Sequence, residues 1–322
     1  MSTTYAYEQY FGLREHPFSI TPDPRFVYLS ERHRAALEHL DYGATGNGFV
    51  LLTGDVGTGK TTICRTFLER LPPKTEVVLI LNPVLTLNEF LLTICDELDL
   101  VIEGNRDSNK NLIDNLNRFL LQVYAVGHRT ILIVDEAQNL THELLEQIRL
   151  LSNIELDNRK LINIFFVGQT EFNQMLLDER NKAVRQRITV NYHIEPLDAK
   201  ETGKYIRHRL SVAGASRDIF TDDAIRAIHH FSSGYPRLIN ILCDHALLTG
   251  YGAGLETIDV DTIKECEREL RIPINKEKAG RREAGSAPLQ AAHSGDGTAP
   301  QSSPRARKLA MGVVFMLLLL FT

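Results

Sequence analysis

Two kinds of apolar pattern alternate along the first two thirds of the chain. Phe49-Val50-Leu51-Leu52-Thr53, Val77 to Asn82, Thr130 to Val134 and Ile162 to Gln169 are short continuous runs that read as buried strands, with Thr189 to Ile194 a candidate fifth. Between them apolar residues recur every three or four positions. Ser30 caps a helix from Glu31 to about Tyr42, after which Gly43, Gly46 and Gly48 break the chain. A second helix follows the first run and stops near Leu71, before Pro72-Pro73. Thr86 and Glu89 form a capping box ahead of Leu87, Phe90, Leu91, Ile94 and Leu98, and Leu112 to Val123 carry another amphipathic helix. Strand and helix in alternation predict parallel βαβ units. The expected fold is an α/β three-layer sandwich with ligands at the strand C-termini.

Beyond Pro196 the strand pattern stops. Ala199 to Leu210, Asp222 to Phe231 capped by Thr221, Pro236 to Leu248 and Asp261 to Arg271 all read as helices, so residues 198–272 predict a small all-helical domain after a core of 30–197. Residues 1–29 differ again. Pro17, Pro22 and Pro24 with clustered aromatics predict an ordered, irregular segment that packs onto something larger, either as a clamp on the core or as a cover for a bound base.

Composition adds limits. Of 322 residues, 43% are hydrophobic and 24% charged, enough for one large or two medium cores, and the net charge of −5 gives no global basic footprint for nucleic acid. The four cysteines, Cys64, Cys95, Cys243 and Cys266, are widely spaced inside apolar patterns and read as buried free thiols. Met1 to Tyr5 show no basic region followed by an apolar one, so a secretory signal is not expected. Residues 273–308 read as a flexible linker, basic on balance, and the uncharged run of 309–322 has membrane-like chemistry but is shorter than the ~20 apolar residues of a span. Arg305, Arg307 and Lys308 before it predict that the preceding domains stay cytoplasmic on a single-pass inner-membrane topology. A short tail anchor and a span continuing beyond Thr322 both fit; the end in mid-run favours the second.

Candidate chemistry centres on Gly54-Asp55-Val56-Gly57-Thr58-Gly59-Lys60-Thr61, which follows the first strand and opens a helix. It fits G-x-x-x-x-G-K-[ST], the Walker A pattern, in the context that a P-loop requires. Its backbone N–H groups, with Thr62 just inside the helix, would cradle a polyphosphate; Lys60 would neutralise the β and γ phosphates, and Thr61 would ligate Mg²⁺. The Thr130–Val134 run ends in Asp135-Glu136, a Walker B arrangement. There Asp135 would hold Mg²⁺ through water and Glu136 would orient and deprotonate an attacking water. Arg180 to Arg187 is a basic cluster ahead of the fifth strand: a solvated face, or a reach into a neighbouring subunit. Arg237 in Gly234-Tyr235-Pro236-Arg237 heads a lid helix and can turn toward a γ phosphate.

This constellation resembles the AAA+ superfamily of ATPases over about residues 30–272. Tyr10 to Phe18, Thr21 to Phe26 and Asp135-Glu136-Ala137-Gln138 make it similar to the general secretion pathway protein A family, with its exosortase, exopolysaccharide-locus and pilus-assembly relatives. The resemblance implies ATP with Mg²⁺, hydrolysis, self-association in an oligomer such as a ring, and a cell-envelope secretion or polysaccharide-export component as partner. It places Gln169 at sensor 1, Arg237 at sensor 2, Asn82 where it would hold the catalytic glutamate, and Arg185 and Arg187 as finger candidates. An assembly ATPase at the bacterial inner membrane is therefore expected. The alternatives are a nucleic-acid-dependent regulatory ATPase of the transposition or replication-initiator type, which the acidic balance disfavours, and a nucleotide-gated scaffold, which Glu136 disfavours.

Overall fold

A computed structural model describes residues 6–270 apart from 22, 157 and 158. The linker and apolar run expected at 273–322 fall outside them. After a short helix α1 (Ala6–Tyr10) come α2 (Glu31–Thr45), β1 (Phe49–Gly54), α3 (Lys60–Arg70), β2 (Thr75–Ile80), α4 (Leu87–Glu97), α5 (Asn109–Ala125), β3 (Arg129–Val134) and α6 (His142–Leu151). A two-residue hairpin of β4 (Glu155–Leu156) and β5 (Arg159–Lys160) leads to β6 (Ile162–Gly168), α7 (Thr170–Leu177), α8 (Lys182–Arg185) and β7 (Ile188–Ile194). Then follow α9 (Ala199–Val212), α10 (Asp222–Ser232), α11 (Pro236–Gly252) and α12 (Val260–Leu270).

The main sheet has the order β2-β3-β6-β1-β7 and every pairing is parallel. Its side chains divide by the period of two that a strand imposes. Phe49, Leu51, Leu132, Val134, Ile164 and Phe166 enter a core shared with α4, α5, α6 and α7. Val50, Leu52, Ile131, Ile133, Phe165 and Val167 enter a second core, against α2 and α3. The central strands are apolar on both faces because both faces are covered, which gives the three layers expected.

The register explains where the expected boundaries move. β2 was expected to run to Asn82, but it stops at Ile80, because its partner β3 ends at Val134 and the ladder closes with Asp135 N–H donating to Ile80 O at 2.8 Å. It is also an edge strand, half-buried at Val77 and Leu79 rather than fully covered. α2 continues through Gly43 to Thr45, since packing on the sheet outweighs the weak helix preference of glycine. Among the described residues no helix is long and apolar enough to cross a membrane.

The third core belongs to α9–α12 and also takes in Tyr7, Phe11, Leu13, Phe18 and Phe26 from the start of the chain. Polar bonds fix this union. Arg14 N–H donates to Ala213 O at 2.8 Å, and the Arg209 guanidinium, 6% exposed, donates to Pro17 O at 2.6 Å, Ser19 O at 3.2 Å and Tyr205 Oη at 2.8 Å. That guanidinium also lies 5.1 Å from the Phe26 ring centroid and 5.7 Å from that of Tyr205. The N-terminal segment is thus built into the helical domain. All four cysteines are buried and unpaired.

Candidate functional site

β1 and β3 run parallel with β6 between them, so their C-terminal ends emerge on one edge of the sheet, two strand spacings or roughly 10 Å apart. The loop leaving β1 turns at Gly57 (φ +84°) and Gly59 (φ +98°), backbone values that side chains resist, and delivers Lys60 and Thr61 as the first residues of α3. Lys60 is 7% exposed; its Nζ donates to Gly54 O at 2.8 Å and Asp55 O at 3.0 Å, so the ammonium lies folded under the loop. Thr61 Oγ1 donates to Asp135 Oδ2 at 3.3 Å. Loop and strand-end acid therefore meet, although 74 positions separate them.

Burial dominates the electrostatics. It pushes the Asp135 carboxyl above the usual carboxylate range, opposed by the N–H of Glu136, and pulls the Lys60 ammonium below its usual range, opposed by Glu136 and Asp135. Two hard oxygens, Thr61 Oγ1 and Asp135 Oδ2, side by side beneath a phosphate-binding loop fit Mg²⁺, which takes one or two protein oxygens and completes its shell with water and phosphate.

Glu136 leaves the strand in the left-handed region (φ +51°), a conformation costing ~1 kcal/mol or more in a residue with a side chain, and it faces the cleft. Its Oε2 accepts from Gln169 Nε2 at 3.1 Å and from Gln138 Nε2. Gln169, N-terminal cap of α7, thus stands beside Glu136. Asn82 does not: it is exposed, two residues beyond β2, and its Oδ1 accepts from Val84 N–H at 3.4 Å. The glutamate's amide partners come from the loop after β3 and the end of β6, not from the end of β2.

The cleft over this floor has a volume of about 580 Å³ and is roofed by Tyr28, Tyr205, Arg209 and Asn240, with Arg237 at its mouth. Arg237 is exposed, and a Cβ built on Gly57 would stand 3.0 Å from its own Cβ, so the start of α11 abuts the loop. Tyr235, the cap of α11, donates to Asp55 Oδ2 at 2.7 Å, while Thr170 Oγ1 donates to Asp55 Oδ1 at 2.8 Å. These bonds, Tyr235's first, hold the Asp55 carboxyl below the usual range, and Asp55 raises the Tyr235 hydroxyl in turn. His33 braces the loop from the other side. Its Nδ1 accepts from Ser30 N–H, which fixes the proton on Nε2 and directs it at Thr58 O, 3.1 Å away.

Val56 is exposed at the loop's tip, and Thr58 is buried with its hydroxyl donating to Asp55 O at 2.9 Å; Thr62 lines the cleft. The two finger candidates are bound within their own chain. Arg187 donates to Arg149 O at 2.8 Å, to Asn153 Oδ1 at 2.7 Å and to Ser152 Oγ. Arg185 donates to Leu176 O at 3.0 Å and Leu177 O at 3.2 Å. Gln138 and Tyr235 entered the sequence reading only as members of their motifs, with no role of their own, and Thr170 and His33 were not singled out.

A family model described as an AAA domain matches residues 44–176. General secretion pathway protein A of Aeromonas hydrophila is 48% identical over 253 residues, 78% of this chain and 46% of that protein, so the chain spans about half the length of that relative. Among solved structures, Cdc6p from Pyrobaculum aerophilum matches with a TM-score of 0.59 at 18% identity, covering 80% of this chain and 74% of that one. Drosophila ORC bound to DNA gives 0.63 at 15% identity (88% and 71% covered), and the RuvB Holliday junction branch migration motor of Thermotoga maritima gives 0.52 at 18% (76% and 69%). At such identities the likeness is one of fold. Sequence and architecture agree, and the chain belongs to the AAA+ ATPases, in the family of general secretion pathway protein A.

Proposed function

We propose that this protein hydrolyses ATP in the cleft and couples the cycle to assembly of a bacterial cell-envelope export system, of the general secretion, exopolysaccharide or pilus type. The observation that carries hydrolysis is the contact of Thr61 with Asp135, which sets the base candidate Glu136 beside the phosphate loop. Loop N–H groups and Lys60 hold the phosphates, exchanging the Lys60 bonds to Gly54 and Asp55 carbonyls for stronger anionic acceptors. Thr61 and Asp135 would hold Mg²⁺, which neutralises charge on the β and γ oxygens. Glu136 takes a proton from the attacking water, Gln169 orients water and base, and Arg237 approaches the γ phosphate from the lid. Arg185, held only by two backbone carbonyls and a distant Glu179, is the better placed finger for a neighbouring subunit in an oligomer.

The export role rests on the identity to general secretion pathway protein A. The basic and then apolar segment at 305–322 supports attachment to the inner membrane, with the ATPase on the cytoplasmic face. Phosphate release by the wild type and by Glu136→Gln, with nucleotide binding followed in parallel, tests the site. We expect binding to persist and turnover to drop by ~10² to 10⁴; equal rates would remove the proposed base.

A further inference from the structure

The mechanism above leaves Gln138 unused, although both ends of its carboxamide are bonded behind the site. Gln138 Oε1 accepts from Gln169 backbone N–H at 3.0 Å, and Gln138 Nε2 donates to Glu136 Oε2. Chemistry settles its orientation. A backbone N–H only donates and a carboxylate only accepts, so the amide fits in one of its two flips. Space is equally tight: a Cβ on Gly168 would stand 3.1 Å from Gln138 Oε1, so the glycine ending β6 leaves the amide just enough room. Gln138 does not line the cleft, whereas Glu136 and Gln169 do.

We propose that Gln138 is a positioning residue for ATP hydrolysis, fixing the Glu136 carboxylate toward the reacting water and tying it to the end of β6. The inference rests on the ATPase reading above. Glu136 occupies a disfavoured backbone conformation at the end of a strand and needs an external hold to keep one rotamer. Gln169 supplies one donor at 3.1 Å, and Gln138 supplies a second to the same oxygen. Because Gln138 also accepts from the Gln169 N–H, the sensor and the base share one network of two glutamines and a carboxylate and shift together.

Two substitutions separate positioning from bulk structure. Gln138→Met removes both bonds at similar volume. Gln138→Glu keeps the acceptor for Gln169 N–H but sets a second carboxyl against Glu136; the two either repel or share a proton, so Glu136 loses its hold in one case and its basicity in the other. Each should lower kcat by ~10- to 100-fold, a typical cost for losing an outer partner that orients a group in the site, with KM and nucleotide affinity within about twofold of wild type. On a Glu136→Gln background, Gln138→Met should change the remaining rate by less than about twofold, because its partner in catalysis is already gone.

A rate near or above wild type in either single variant overturns the proposal, as does an undiminished loss on the Glu136→Gln background or a loss that follows nucleotide affinity. Equal wild-type and Glu136→Gln rates would instead overturn the ATPase reading and this inference with it. Silencing by Glu136→Gln with fully active Gln138 variants overturns this inference alone.

Discussion

The floor and the roof of the cleft are held by different means. The floor is formed by the β1–α3 loop and the ends of β3 and β6, anchored in two apolar cores and joined by the local bond of Lys60 to Gly54 O and the side-chain contact of Thr61 with Asp135. The roof stands on the third apolar core, and distant pieces of chain are also stitched to it and to the loop by polar bonds: Arg209 to Pro17 and Ser19, Tyr205 to Asn240, Tyr235 to Asp55. Apolar packing holds the floor rigid, at a desolvation cost to its buried charges, while the roof also depends on a few donors that reach across the chain. The floor is therefore suited to chemistry and the roof to movement.

The largest expected effect lies in the floor. Lys60→Ala should lower hydrolysis by ~10² to 10³ through lost phosphate stabilisation. It removes a desolvated ammonium, so the urea midpoint should hold, and a clear drop in that midpoint would blur the contrast. In the roof the cost should appear in stability. Arg209→Met leaves the Pro17 and Ser19 carbonyls without that donor, and about 3 kcal/mol should be lost in urea melts. Tyr235→Phe is milder. Losing the Asp55 bond, worth ~1 kcal/mol, should weaken nucleotide binding by roughly fivefold as the lid helix loosens from the loop, a shift that fluorescence titration would measure.

The smallest effect concerns pH. Burial holds His33 below its ordinary value of 6.5, so the unfolded chain takes up the proton first. Its contribution is complete above pH 6.5 and declines as the pH falls from there toward the folded-state value. Thermal melts stepped downward from neutral pH should show that decline, in part shared with His208, which burial also depresses; His33→Gln should flatten it.

Much of the floor was legible because its information is local. An apolar run, a glycine loop and a lysine lie within a dozen residues, and a strand ending in Asp135-Glu136 announces its own burial. Strand ends were less legible: β2 stops at Ile80 because β3 stops at Val134, a fact of pairing and not of composition. The roof was hardest. Nothing near Pro17 says that its carbonyl awaits an arginine 192 positions away, and the Gln138 amide acquires meaning only when β6 is laid beside β3. The short α7 and α8 place Phe172, Leu176 and Val184 in the core, while the largely exposed β4–β5 hairpin is too short to leave a pattern.

The residence of Phe11, Phe18 and Phe26 among α9–α12 has a consequence for biosynthesis. The opening residues leave the ribosome first, yet their apolar partners reach to Cys266. Through most of translation they wait without their mates, while the central sheet can assemble behind them. A ribosome stalled before α12 would carry a nearly finished phosphate loop under an unfinished roof, and nucleotide would find its full enclosure only in the last moments of chain growth.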